Sequence, residues 1–173
     1  QLSPDGRYMS FIKPHLGTRN VWVKETSAPF DDARPLTDNT DRPVAGYFWS
    51  RDGKYLLYVK DQGGDENYNI YALDPQSPNA PDSTVPEARK LTDREGVRAI
   101  IFAVPESDPD LMYIGLNDRD PAWRDLYALR ISTGALELLR ENTDRFTGWS
   151  CDNDDQLRLA TRSAANGDTE VLR

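Results

Sequence analysis

Few residues in this chain are of the types that perform covalent chemistry. There is one histidine, His15, and one cysteine, Cys151. A nucleophile elbow sets a serine between two glycines four positions apart. The glycines fall at positions 6, 17, 46, 53, 63, 64, 96, 115, 134, 148 and 167, and no two are four apart. Any Ser–His–Asp or Cys–His arrangement would have to use His15, and the run Lys13-Pro14-His15-Leu16-Gly17 reads as a solvated loop between strands. One His and one Cys fall short of the usual zinc ligand set. The acidic runs Asp118-Arg119-Asp120 and Asp152-Asn153-Asp154-Asp155 lack the D-x-[DN]-x-[DN]-G spacing of a calcium loop and read as solvated turns. No catalytic residue, metal site or cofactor is expected in the chain.

One segment offers binding chemistry instead. In Asp61-Gln62-Gly63-Gly64-Asp65-Glu66-Asn67-Tyr68 the glycine pair lets the backbone reverse, and Asp65 and Glu66 then present adjacent carboxylates beside an amide and a phenol. Two carboxylates can capture an amino group by charge-assisted hydrogen bonds, each worth roughly 1.5–3 kcal/mol when desolvated. The competing reading is a hairpin with a solvated acidic tip.

The elements that must carry this loop repeat along the chain. A polar turn, Ser3-Pro4-Asp5-Gly6, returns as Ser50-Arg51-Asp52-Gly53, then in degenerate form as Ser107-Asp108-Pro109-Asp110 and Ser150-Cys151-Asp152-Asn153. An apolar run follows each turn. A second run built on an aromatic comes next, as Asn20-Val21-Trp22-Val23, Asn69-Ile70-Tyr71-Ala72-Leu73 and Asp125-Leu126-Tyr127-Ala128-Leu129. A closing segment, Arg34-Pro35-Leu36-Thr37-Asp38, returns as Arg89-Lys90-Leu91-Thr92-Asp93. These runs are short, β-branched and aromatic, and bounded by Gly, Pro, Asn and Asp, so they read as strands. No sustained helical periodicity is present.

A four-stranded antiparallel unit repeated every ~40–50 residues marks a propeller blade. The expected fold is therefore an all-β, partial β-propeller of about four blades, over residues 1–43, 44–96, 97–144 and 145–173, with the first and last incomplete. Stacked blades are expected to hide the Trp22, Tyr71 and Tyr127 positions between them. Incomplete terminal blades would leave strand edges open and favour self-association.

Composition narrows the partners. The net charge of −8 with scattered basic residues argues against nucleic acid. The longest apolar run, Ala99 to Val104, is far too short for a spanning helix. A lone cysteine leaves the compartment open between periplasm and cytoplasm.

Several motifs together resemble a known family. These are Gly46-Tyr47-Phe48-Trp49-Ser50 with Asp52-Gly53-Lys54-Tyr55, then Gly63 to Tyr68, then Gly96-Val97-Arg98-Ala99, and Gly115 to Pro121. The set is similar to the N-terminal β-propeller of bacterial prolyl oligopeptidase family serine peptidases, nearest the acylaminoacyl-peptidase and dipeptidyl-peptidase-like members. The resemblance implies a propeller capping an α/β-hydrolase domain that holds the Ser-Asp-His triad. It further implies a cap that admits short peptides and, in some members, an acidic pair holding the substrate's free N-terminus. Asp65 and Glu66 are the counterparts here. The hydrolase domain is absent from these residues, so the chain alone is expected to be inactive. A TolB-like interaction propeller is the alternative, because it shares the Ser-Pro-Asp-Gly turns and Leu-Thr-Asp segments.

Overall fold

The computed structural model describes residues 1–173. Four antiparallel sheets follow one another along the chain, each a meander of sequence-adjacent strands. The first holds β1 (Tyr8–His15), β2 (Thr18–Glu25) and β3 (Arg34–Pro35); the second holds β4 (Gly46–Trp49), β5 (Leu56–Lys60), β6 (Asn69–Leu73) and β7 (Arg89–Lys90). The third is β8 (Ala99–Ala103), β9 (Leu111–Asp120), β10 (Trp123–Arg130) and β11 (Leu136–Arg140); the fourth is β12 (Gly148–Cys151), β13 (Leu157–Ser163) and β14 (Thr169–Leu172). The expected propeller sheets are present, with the first and last short of four strands. The one helical feature is a 3-10 turn at Phe30–Asp32. Beside β1, where a fourth strand of the first sheet would lie, Leu2 bridges to Met9 and the Ser10 N–H donates to the Gln1 carbonyl at 2.8 Å.

The repeated polar turn closes in the same way twice. Ser3 Oγ donates to Asp5 Oδ1 at 2.5 Å and accepts from the Tyr8 N–H at 2.9 Å, and the Gly6 N–H returns to the Ser3 carbonyl at 2.8 Å. Ser50, Asp52, Gly53 and Tyr55 repeat this at 2.6, 2.9 and 2.9 Å. Gly6 and Gly53 both have φ of 71°, a backbone conformation that glycine enters without a Cβ clash. The serines that anchor the turns are buried.

Two compact units form, Gln1–Thr92 and Asp93–Arg173, each with two sheets. In the first, Val21, Val23, Leu36, Val44, Trp49, Leu56, Tyr58 and Leu73 make one core cluster. The Trp49 indole N–H donates to Ser10 Oγ at 2.9 Å, tying the second sheet to the first. In the second unit Met112, Ile114 and Leu116 of β9 and Leu129 of β10, which pairs with Met112, are nearly fully buried, and so is Leu126 opposite Gly115. Each such side chain contributes about 1.5–3 kcal/mol by leaving water.

Two expectations are corrected. Trp22 and Tyr71 are only half-buried; the residues beside them, Val21, Val23, Ile70 and Ala72, are the ones sealed from solvent. Successive strand residues face opposite sides, and the aromatics lie on the side covered by other polar or aromatic groups. Lys13 sits 4.5 Å over the Trp22 ring, and Tyr71 stacks on Tyr58 at 5.1 Å. Tyr127, by contrast, is buried as expected. His15 is the second correction. It ends β1 and meets Trp22 edge-on at 5.6 Å, with its Nε2 buried and unpartnered. The turn is only Leu16 and Gly17, both at positive φ (52° and 87°). That is the two-residue hairpin geometry matching strand twist, so β1 runs on through Pro14, which an edge strand tolerates.

Candidate functional site

The loop between β5 and β6 is shaped from its own residues. Gly63 and Gly64 take φ of 60° and 88°, and Arg42 lies against Gly64, where an added Cβ would stand 3.4 Å from its Nη1. Arg42 Nη2 pairs with the buried Asp61 carboxylate at 3.3 Å. The same Asp61 oxygen accepts the Glu66 N–H at 3.4 Å. Asp61 therefore ties the start of the loop to its far side.

The structure gives the two adjacent carboxylates different roles. Asp65 is exposed, but its oxygens are engaged: Oδ1 accepts the Asn67 N–H at 3.0 Å and the Gln62 N–H at 3.2 Å, and Oδ2 accepts Asn67 Nδ2 at 3.2 Å. The Asn67 backbone bond, foremost among these, holds the Asp65 carboxyl below the usual carboxylate range. Glu66 is exposed and its carboxylate takes no hydrogen bond or ion pair. Its φ is +57°, a left-handed conformation that costs a side-chain-bearing residue roughly 1–2 kcal/mol. Such strain at a non-glycine residue is a reason to look for function. An anion here can accept from an ammonium group at the lip of the loop, with Asp65 shaping the turn beneath it.

Of the two runs read as solvated turns, Asp152 to Asp155 is a turn, and Asp118 to Asp120 differs from that expectation. Asp118, Arg119 and Asp120 end β9. Arg119 grips Asp125 with two 2.7 Å bonds, and Asp125 is 1% exposed. The Asp118 carboxylate accepts the Tyr127 hydroxyl at 3.0 and 3.1 Å and pairs with Arg94. The signal available in the sequence was the alternation of Asp and Arg opposite Asp125 and Tyr127, which a turn would not require. Asp152 is the hub of its turn, accepting the Asp154 and Gln156 N–H groups at 3.0 and 2.9 Å, while Asp155 caps the Glu106 and Ser107 N–H groups at 2.9 and 2.7 Å. No three His, Cys, Asp or Glu side chains come together in a way that could hold a metal ion. No helix is long and apolar enough to cross a membrane.

Known proteins resemble the chain along its whole length. Over all of its 173 residues the chain is 36% identical to dipeptidyl aminopeptidase BIII of Pseudoxanthomonas mexicana, covering 24% of that protein. It is 30% identical to dipeptidyl peptidase family member 6 of Caenorhabditis elegans, over 99% of the chain and 23% of that protein. A solved prolyl endopeptidase superimposes with a TM-score of 0.67 at 14% identity, over 98% of the chain and 25% of that structure. Over its whole length the chain is similar to a part of these peptidases. It spans about a quarter of the length of these relatives and carries propeller sheets. No protein-family model matches it.

Proposed function

We propose that the chain is a non-catalytic propeller portion of a serine oligopeptidase, and that it gates and helps bind short peptides for a hydrolase domain outside these residues. Glu66 is the group that takes the peptide's free amino terminus, and Asp65 holds the loop that presents it. The observation that carries this reading is the division of labour in the Asp61–Tyr68 loop: one carboxylate engaged by its own turn, its neighbour exposed, unpartnered and in a left-handed conformation. The name of one relative, a dipeptidyl aminopeptidase, supports it.

The test is a pair of peptide substrates, one with a free and one with an acetylated amino terminus, assayed on the full-length protein. Glu66→Gln should lower kcat/KM about 10–150-fold for the free amine, the loss of one charge-assisted bond, and leave the acetylated peptide unchanged. Equal effects on both peptides would refute the assignment.

The chain by itself is expected to associate through its open flanks, where Leu2 and Phe30 of the first sheet's surroundings and Leu159 and Val171 of the last sheet are exposed. Sedimentation of the isolated chain should show a mass that rises with concentration. A concentration-independent monomer would refute this.

A further inference from the structure

We propose that Arg124, beside Arg98, is a receptor for a carboxylate on the third sheet. Ala99 and Asp125 are both paired with Leu116 of β9, so Arg98 and Arg124, one residue before each, emerge on the opposite face with Asn117 between them. The Arg98 N–H donates to Asn117 Oδ1 at 2.7 Å, and Asn117 Nδ2 donates to the Pro121 carbonyl at 3.2 Å, so this amide is fixed between the two arginines. Gly115 supplies the floor. An added Cβ there would come within 2.6 Å of the Phe102 ring and 3.0 Å of the Arg124 Cβ, so the bare backbone is what lets ring and arginine stem pack together.

Arg124 is the anomaly. Its Nε is buried with no hydrogen-bond partner, and its side chain makes no ion pair. Burial, and then the nearby Arg98 charge, lower its proton affinity, and no carboxylate acts on it. Two acids of this sheet are engaged elsewhere, Asp125 by Arg119 and Asp118 by Arg94 and Tyr127. In a chain with 29 acidic residues against 21 basic ones, an arginine beside another arginine and without an acid is a vacancy for an anion. The flat edge of a guanidinium, Nε with one Nη, matches the two oxygens of a carboxylate. The carboxylate can come from a bound peptide or from another part of the full-length protein, and the chemistry is the same.

The test is thermal unfolding of the full-length protein with succinate or inorganic phosphate, against chloride at equal ionic strength, for the wild type and Arg124→Met. Methionine keeps an unbranched apolar stem over Gly115 and removes the charge, and circular dichroism checks that the variant is folded. For a free ligand, succinate raises Tm saturably in the wild type and not in the variant. For a carboxylate of the protein itself, succinate moves nothing and Arg124→Met lowers Tm, because an acid loses its partner. A response to phosphate without one to succinate overturns the carboxylate assignment. No response to either anion, with Arg124→Met equal to or higher than the wild type in Tm, overturns the receptor, since removing an uncompensated charge then only relieves repulsion.

Discussion

At Glu66, two requirements on one residue conflict. Its left-handed φ suits glycine, yet the position carries a long acidic side chain. Glu66→Gly is therefore expected to raise stability by up to about 1 kcal/mol by relieving the Cβ clash, while reducing use of free-amine peptides as strongly as Glu66→Gln. Denaturant midpoints and kinetics on the same preparations would check both halves. Asp65→Asn should act differently, because Asp65 organises the turn through Asn67 and Gln62. A looser loop would weaken substrate capture while leaving the Glu66 charge in place. The pair Asp65-Glu66 was legible as adjacent carboxylates. Which of them is free was not, because that depends on where the neighbouring N–H groups point once Gly63 and Gly64 have reversed the chain. Arg119 was likewise read as part of a solvated turn, although it grips the buried Asp125. Arg119→Met should cost about 3 kcal/mol, the low end for a broken buried pair, because the arginine side is still part exposed (39%). Chemical denaturation measures it directly.

At the scale of the element, the fold uses two devices copied from sheet to sheet. One is the Ser-x-Asp-Gly turn. Ser50→Ala would orphan the Tyr55 N–H and the Asp52 bond together, so a loss of about 1–3 kcal/mol is expected, with Ser3→Ala similar. Thermal melts of the two single variants would show whether the copies are equivalent. The other device is a buried amide or acid near the start of the strand before the last in each of the first three sheets. Asn20 Oδ1 accepts Thr37 Oγ1 and the Asn39 N–H at 2.8 and 2.9 Å, and Thr92 Oγ1 donates to Asn69 Oδ1 at 3.1 Å. In the third sheet Asp125 takes the place of the asparagine and accepts the Asn142 N–H at 2.7 Å. The recurrence of Asn20, Asn69 and Asp125 was visible in the sequence as strand starts. Their partners were not, since Thr37, Thr92 and Asn142 lie some twenty residues away and meet them only when the last strand of each sheet comes back. His15 failed as a loop residue for a related reason: a two-residue turn lengthens the strand beyond what Pro14 suggests.

Across the whole chain, the depressed carboxylates set the acid limb of stability. Arg119 holds the Asp125 carboxyl below its ordinary range, and Arg130 and Arg158 do the same for Asp108 and Asp152. A carboxyl whose folded pKa lies below its unfolded value contributes stability in full above that unfolded value, about 3.9, and loses it as pH falls through the folded one. Melting temperature should therefore change little between neutrality and about pH 5 and fall steeply below about 4. Asp125→Asn should flatten that fall, and an unchanged acid limb in the variant would show that the pair does not govern it. The sequence by itself determined the kind of fold, because the repeat of polar turn and alternating apolar strand is written locally and each sheet is a meander of neighbours. The tertiary structure decided which polar residues are bonded and which are free. Arg124 and Asp125 are adjacent in the chain, yet one is sealed against a guanidinium partner and the other left without an acid, because successive strand residues face opposite sides and meet different neighbours.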